Sequence, residues 1–339
     1  MATLKDIAKI AGVSHMTVSN VLNGRRTSTQ PAAVERAERI RQIAAELGYR
    51  PHRAAQELRN GRTGLIAILS DALMLGSNGR EEDLQMVTHL AERLGEVGIH
   101  ATADLLWQED QRYRVPGFQV DAAVICSPEN PAEIENFRNA GLPLVVLNGE
   151  AGDLPDAVSV VFDDRAAMHR VVDRLVELGH EKIAFLNLPD YFPHYSLSER
   201  EAGYREAMAR HDLPVLPGCT AGDLDPADYG TFLKDHVEIG GPPLACITFE
   251  QLLALPLYRA IERLGLKIPE HVACVSFNES FFGREALRPA LSCITRAPEK
   301  TADRVFDLLN ERLNTDQPFE PGQRVVLNEY LVERASLTG

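Results

Sequence analysis

From residue 62 onward, short apolar runs alternate with longer amphipathic stretches. This alternation favours parallel sheets, because parallel strands need a crossover connection and a helix is the usual one. About ten such units follow one another, enough for two doubly wound α/β lobes. The apolar runs lie at 65–69, 99–105, 122–126, 144–147, 158–162, 183–186, 215–219, 245–248 and 272–277, and the helical stretches at 81–96, 132–140, 166–178, 199–210, 227–237 and 252–264.

The composition is that of an ordinary globular chain, with 45% hydrophobic and 25% charged residues. No apolar run approaches the ~20 residues of a membrane span, and the first residues lack the apolar stretch of a secretory signal. We therefore expect a cytoplasmic protein without membrane contact. Ligands of doubly wound folds bind beyond the carboxyl ends of the strands, so two facing lobes predict a ligand-binding cleft.

Charge is distributed unevenly along the chain. Residues 1–62 contain 11 Lys and Arg but only 5 Asp and Glu, a net charge of +6, although the whole chain carries −14. The rest therefore carries −20. A basic segment on an acidic body is typical of a module that binds a polyanion.

The basic segment begins with the pattern of two short helices and a glycine turn. Thr3 and Asp6 have the spacing of a capping box, Gly12 ends the first helix, and Ser14 caps the second. This pattern predicts a helix-turn-helix unit. We expect the outward face of the second helix to be small and polar, which suits a DNA groove where acids would be repelled. That face comprises His15, Met16, Thr17, Ser19 and Asn20.

A third helix is predicted from Pro31 to Leu47. Its inner stripe comprises Val34, Ala37, Ile40 or Arg41, Ala44 and Leu47. Residues 52–61 form about two turns of potential helix, too short to be stable alone in water. We expect this segment to be a linker that folds on binding.

The head resembles that of the lactose-repressor (LacI/GalR) family of bacterial transcription regulators. The resemblance rests on Thr3-Leu4-Lys5-Asp6-Ile7-Ala8-Lys9-Ile10-Ala11-Gly12-Val13-Ser14, Thr17-Val18-Ser19, Val21-Leu22-Asn23-Gly24 and Leu47-Gly48-Tyr49-Arg50-Pro51. The body resembles the periplasmic-binding-protein-like effector domain of the same family. There the similar stretches are residues 173–186, 199–205 and 264–272.

The resemblance implies specific DNA contacts. Base-contacting positions fall on His15, Met16, Ser19 and Asn20, and phosphate-contacting positions on Thr3, Ser14, Thr17 and Asn23. Ala55 and Leu58 match hinge residues that enter the minor groove, where paired leucines wedge a base step and kink the duplex.

The chain also departs from the family pattern. Asn20 stands where Arg is common, and since Asn prefers adenine and Arg guanine, we expect an altered operator half-site. His52 replaces the usual Asn before the hinge, and the connection at 25–30 is about four residues longer than usual. Arg25 and Arg26 therefore lie in a loop whose role is open between phosphate contact and simple solvation.

The family's effector-binding residues match this sequence less closely than its DNA-contacting residues do. Arg200 matches an arginine that clamps sugar hydroxyls or carboxylates in relatives, with a surface helix arginine as the alternative. Glu250-Gln251 stands where the family has an Asn-Asp pair, and Asn278 replaces an Asp that would bind hydroxyls. The effector-binding candidates are Asp71, Arg200, Glu250 and Asn278.

Other chemistries have little support. The five cysteines are scattered, which favours buried free thiols over a disulfide framework or a metal site. The acidic run at 81–83 is interpreted as a helix start stabilised by the macrodipole. No nucleophile elbow, phosphate loop or metalloprotease motif occurs, so we expect no enzyme, cofactor or metal.

The predicted fold class is α/β: an all-α helix-turn-helix head with a hinge helix, then a two-lobed periplasmic-binding-protein-like effector domain. The predicted divisions are 1–51, 52–62 and 63–339, with one lobe at 63–162 and 294–323 and the other at 163–293 and 324–339. The predicted function is a transcriptional regulator, most simply a repressor. It would bind a pseudo-palindromic operator as a homodimer, with a tetramer left open, under control of a sugar or related metabolite. The alternatives are a carbohydrate-binding protein without a DNA role and an enzyme on the same scaffold.

Overall fold

A computed structural model of the chain describes residues 2–22, 30–49, 62–70, 81–103, 108–109, 112–187, 194–216, 225–280, 282–315 and 317–338. The chain divides into two compact units, Met1–Thr63 and Gly64–Gly339. The predicted linker at 52–61 lies outside the described residues.

The first unit packs three helices around a small apolar core. They are α1 (Leu4–Ala11), α2 (His15–Leu22) and α3 (Pro31–Glu46). Ile7, Val18 and Ile40 are fully buried at their meeting point. The predicted phase of α3 is partly wrong, since Val34 and Leu47 are exposed while Ile43 joins Ala44 inside. Because α3 packs on two short helices, its buried face is set by where they cross it rather than by its own apolar stripe.

The second unit contains two sheets, and each belongs to one lobe. The first sheet has the order β12-β7-β6-β5-β1-β2 with every pair parallel. Its strands are β1 (Leu65–Leu69), β2 (His100–Ala103), β5 (Ala122–Cys126), β6 (Leu144–Leu147), β7 (Ala157–Phe162) and β12 (Gln323–Leu327). A separate two-stranded ribbon joins β3 (Gln108–Glu109) to β4 (Arg112–Tyr113).

The second sheet has the order β13-β11-β10-β9-β8, and only the edge strand β13 runs antiparallel. Its strands are β8 (Lys182–Leu186), β9 (Leu244–Thr248), β10 (Val272–Phe277), β11 (Ser292–Thr295) and β13 (Tyr330–Val332). Cys126, Cys246, Cys274 and Cys293 are buried free thiols, as expected of the first three; Cys219 lies outside the described residues.

Helices cover the sheets from both sides. In the first lobe, α4 (Glu81–Glu96) and α9 (Pro298–Asn314) bury Met86, Leu90, Val305 and Leu309 against one face of the sheet. The helices of the second lobe are α5 (Asp164–Glu177), α6 (Tyr195–Arg210), α7 (Tyr229–His236) and α8 (Gln251–Arg263). The predicted helix at 132–140 is instead a 3-10 helix, Pro131–Phe137, and the predicted run at 215–219 forms no strand at Val215 or Leu216.

The chain crosses between the lobes three times: from β7 into α5, from β11 into α9, and from β12 into β13. Two predicted lobe boundaries are therefore displaced. Strand β11 ends at Thr295 within the second sheet, beyond the predicted 293, and β12 keeps residues 323–327 in the first sheet by pairing with β7. We call the region around these three crossings the lobe junction.

We predict that Gly203→Ala destabilises the second lobe. Gly203 lies on α6 where it packs against α5, and a Cβ there would sit 2.7 Å from the Arg165 carbonyl oxygen. Such overpacking costs about 1–3 kcal/mol. Gly230→Ala is the matched helical control, since a Cβ at Gly230 meets nothing within 4 Å. Urea unfolding of both variants measures the difference, and equal stabilities would contradict the packing argument.

Candidate functional site

The outward surface of α2 is formed by side chains that carry no negative charge. His15 and Met16 are exposed, with Met16 at 59%, and Asn20 is partly exposed. No acidic residue lies in the first turn of α2. Hydrogen-bond donors and a methyl-bearing side chain on one accessible helix face are the groups that contact base edges in a major groove.

Ser19 does not belong to this surface. Its exposed fraction is 3%, so the prediction that it faces outward with the other four residues is wrong. Helix α2 is only eight residues long and contacts both α1 and α3. Packing on two sides buries Ser19 beside Val18, a wider buried face than one apolar stripe predicts.

The predicted phosphate-contacting hydroxyls cap the two helices. The Thr3 hydroxyl accepts from the Asp6 amide at 3.3 Å and the Thr3 amide donates to the Asp6 carboxylate at 2.8 Å, as the predicted capping box requires. The Thr3 hydroxyl also donates to the same carboxylate at 2.7 Å. Hydrogen bonding to Thr3 lowers the pKa of the Asp6 carboxyl. The Ser14 hydroxyl accepts from the Thr17 amide at 3.1 Å and lies 2.9 Å from the Thr17 hydroxyl. Helix N-termini of this kind attract anions. Asn23, Ala55 and Leu58 lie outside the described residues.

The lobe junction contains six charged side chains removed from water, which we call the buried ionic cluster. Each is at most 6% exposed. Asp164 follows the first crossing, Arg296 lies on the second, and Glu329 lies on the third. The cluster comprises Glu82, Asp83, Asp164, Arg200, Arg296 and Glu329.

Arg200 is fully buried and engaged by protein groups. Its guanidinium donates to the Asp164 carboxylate at 2.5 Å and to the Phe249 carbonyl at 2.7 Å. It also donates to the Asn278 side-chain oxygen at 3.4 Å and stacks on the Phe277 ring, 3.9 Å from the centroid. The alternative of a surface helix arginine is therefore wrong. The family motif around Arg200 thus identified a residue at the lobe junction, and Asn278 is one of its hydrogen-bond partners.

Arg296 is held more loosely. Its guanidinium lies 3.6 Å from Asp83 and 3.6 Å from Glu329, and stacks on Phe162 at 4.9 Å. Glu82 accepts from the Thr295 hydroxyl at 2.8 Å and the Arg296 amide at 3.1 Å, which ties α4 to the second crossing. Burial raises the pKa of Glu82. Burial, reinforced by repulsion from Asp164, raises the pKa of Glu329 to about 8.

Polar contacts also join the lobes beside the cluster. A ring nitrogen of buried His194, at the start of α6, lies 2.9 Å from the Asn148 carbonyl oxygen after β6. The Tyr195 hydroxyl donates to the Asn148 side chain at 3.3 Å and accepts from the Phe162 amide at 3.1 Å. Asn148 itself adopts φ 53°, a left-handed conformation unusual outside glycine. Such strain at strand ends is common where a ligand binds.

The structure thus brings Arg200 and Asn278 together, places Glu250 at the start of α8 and leaves Asp71 outside the described residues. Sequence reasoning missed most of the cluster. Glu82 and Asp83 do begin a helix as predicted, but they are buried rather than solvated. The missed members are Glu82, Asp83, Asp164, Arg296 and Glu329.

Two family models match the chain. Residues 3–52 match "Bacterial regulatory proteins, lacI family", and residues 172–337 match "Periplasmic binding protein-like domain". Similar curated proteins include "Probable HTH-type transcriptional repressor ExuR" of Bacillus subtilis, 24% identical over 99% of this chain and 98% of that protein. Another is the HTH-type transcriptional repressor PurR of Vibrio campbellii, 25% identical over 92% of each chain.

Solved structures share the fold along nearly the whole chain. The lac repressor dimer bound to operator and the anti-inducer ONPF has a TM-score of 0.72 at 21% identity, covering 99% of each chain. A complex of the transcriptional regulator CelR with cellobiose has a TM-score of 0.64 at 23% identity, covering 99% of this chain and 100% of that one.

A helix-turn-helix head followed by a two-sheet periplasmic-binding-protein-like body defines the class of regulatory proteins that pair a DNA-binding module with a ligand-binding fold. Within that class, residues 3–52 form a helix-turn-helix domain of the LacI family and residues 172–337 belong to a periplasmic-binding-protein-like domain. No helix among the described residues has the length and apolar character needed to cross a membrane.

We predict that Glu329→Gln stabilises the chain most at alkaline pH. The pKa of Glu329 lies at about 8 in the folded chain and near its ordinary 4.5 when unfolded. Between these values the folded state binds the extra proton, so stability falls as pH rises through this window. The variant's gain in Tm should therefore grow by several degrees from about pH 5 to pH 8 and then level off.

Thermal unfolding of both proteins from pH 5 to 9 measures this gain. Glu92→Gln, which neutralises an exposed acid on α4, is the control and should show no such trend. A Glu329→Gln gain that is constant across the range, or a loss, would contradict a strained buried carboxylate.

Proposed function

We propose that the chain is a transcriptional repressor that binds a pseudo-palindromic operator as a homodimer, under control of a small molecule bound at the lobe junction. The observation that carries the DNA role is the acid-free outward face of α2 on a head of net charge +6. The curated relatives ExuR and PurR are named transcriptional repressors, and the lac repressor dimer is bound to operator in its solved structure.

The head divides its contacts between affinity and sequence choice. Phosphates interact with the helix N-termini at Thr3, Ser14 and Thr17 and with lysines and arginines, which contribute affinity without sequence preference. His15, Met16 and Asn20 contact base edges, and Asn20 prefers the N6 and N7 atoms of adenine. Two heads in a two-fold dimer then require two inverted half-sites.

Ligand control is assigned to the lobe junction. The chain crosses between the lobes there, and buried polar groups from both lobes converge on Arg200 and Arg296. The CelR structure holds cellobiose, and the similarity to PurR and ExuR extends over 92% or more of both chains. A ligand that favours one lobe arrangement changes DNA affinity through a coupling free energy of about 1–3 kcal/mol.

The carbohydrate-binding alternative without a DNA role does not account for the head. A transport-type binding protein needs neither a capped helix-turn-helix unit nor a basic head on an acidic body. The curated relatives named above are repressors rather than enzymes, which supports a non-catalytic role.

We predict that Asn20→Arg changes the preferred operator rather than abolishing binding. Arg pairs with guanine as Asn pairs with adenine, so the preferred base at one symmetric position in each half-site should change from A to G. The discrimination against the wrong base should be about 1–3 kcal/mol. Selection from random-sequence DNA, followed by sequencing of the bound pool, measures the preference.

Gln42→Arg is the matched control, because it adds the same charge on the exposed surface of α3 rather than α2. It should raise affinity for all sequences and leave the selected operator unchanged. Recovery of no inverted repeat by the unmodified chain would overturn the regulator proposal. An unchanged operator for Asn20→Arg would overturn the role of Asn20.

A further inference from the structure

The buried ionic cluster is not balanced in charge. Four carboxylates face two guanidiniums: Glu82, Asp83, Asp164 and Glu329 against Arg200 and Arg296. All six side chains are removed from solvent, and taking each ion out of water costs several kcal/mol unless partners compensate. Fully ionised, the cluster would carry two more negative than positive charges, and Glu329, whose pKa burial raises to about 8, holds its proton to limit that excess.

The positive charge that is present is already committed. Arg200 donates to Asp164, to the Phe249 carbonyl and to Asn278, so few of its donors remain for an incoming anion. Arg296 lies between Asp83 and Glu329, at 3.6 Å from each. An anionic ligand at this point would meet two carboxylates around the one arginine that is not fully engaged.

Hydrogen-bond acceptors without partners outnumber donors without partners. At least four carboxylate oxygens form no hydrogen bond with the described residues: Asp83 Oδ1, Asp164 Oδ2 and both oxygens of Glu329. The buried donors in the same condition are Arg296 Nε and the hydroxyl of Thr248, at the carboxyl end of β9. Buried polar atoms are nearly always satisfied, so this surplus indicates a missing group that donates.

The location agrees with a ligand. Asp83 comes from the first lobe, Asp164 begins the second, and Glu329 lies on the third crossing. Arg296 lies 3.6 Å from both Asp83 and Glu329, and Arg200 lies 3.9 Å from Glu329 and 2.5 Å from Asp164, so the three carboxyl groups are neighbours. Thr248 and Phe249 follow β9, and carboxyl ends of parallel strands are where this fold class binds ligands.

We propose that the effector of this chain is a small organic cation rich in hydrogen-bond donors, specifically an amino sugar or amino polyol. This inference rests on the proposed function as a ligand-regulated repressor and names its ligand class. An ammonium group brings three donors and one positive charge to Asp83 and Glu329, while hydroxyls satisfy Asp164 and Thr248. A sugar acid of the same shape would instead add negative charge to a site whose carboxyl groups already outnumber its guanidiniums.

The test uses two matched sets of probes on the full chain. The first is D-glucosamine, D-glucose and D-glucuronate, and the second is glucamine, sorbitol and gluconate, so that within each set the carbon skeleton is kept and the charge changes. Thermal unfolding at pH 7 and constant ionic strength reports binding, and MgCl2 and CaCl2 test for a bare divalent cation. We expect an amine to raise Tm while its neutral and anionic counterparts do not.

Variants connect binding to the cluster. Glu329→Gln should weaken the amine about tenfold or more, the effect of losing one charge-assisted hydrogen bond. Asp83→Asn gives an independent test from the first lobe. Glu92→Gln, an exposed acid on α4, should leave binding unchanged.

Three results would overturn the ligand class: stabilisation by an anion, equal stabilisation by the neutral compound, or stabilisation by a divalent cation alone. Failure of every amine would also overturn it. Operator selection on the same preparation separates this failure from failure of the proposed function, because a palindrome recovered without any amine binding leaves the repressor proposal intact.

Discussion

Charge buried where the chain crosses between lobes constrains the body of this protein. Each carboxylate and guanidinium at the lobe junction loses its hydration, and only close partners within the protein can offset that loss. Asp164 and Arg200 are such close partners, since their side chains lie 2.5 Å apart. Glu329 has no charged partner that close, and burial raises its pKa. The junction therefore gains free energy from a bound partner that donates hydrogen bonds.

This imbalance gives the lobes a physical reason to respond to a ligand. A ligand changes a conformational equilibrium only by the difference between its affinities for the two states. Separating the lobes would rehydrate Glu82, Asp83 and Glu329, while a bound donor would favour keeping them together. The contacts of Asn148 with His194 and Tyr195 resist separation at the same place. A bound ligand and rehydration would thus affect the same charged side chains, with opposite effects on the lobes.

Much of the fold was predictable because its signals are local. The apolar runs at 65–69, 122–126 and 144–147 coincide with β1, β5 and β6, and Glu81–Glu96 is the predicted helix. The predicted boundary at 323 places most of β12 in the other lobe. Residues 323–327 have alternating exposure, and only their pairing with β7 places them in the first sheet. The 3-10 helix at Pro131–Phe137 was also missed, because apolar spacing does not separate it from a short α-helix.

In the candidate site, too, the residues with local sequence signals were predictable and the others were not. Arg200 was found because the residues around it match a family motif, and capping chemistry placed Thr3 and Ser14 correctly. Three consecutive acids at 81–83 have the pattern of a solvated helix start, and nothing in their own neighbourhood reveals that Thr295 and Arg296, more than two hundred residues away, cover them. Whether these charges are buried depends on how the chain crosses between the lobes, and the crossings are defined by tertiary structure. An acid at a helix start carries functional information only once the element packed over it is known.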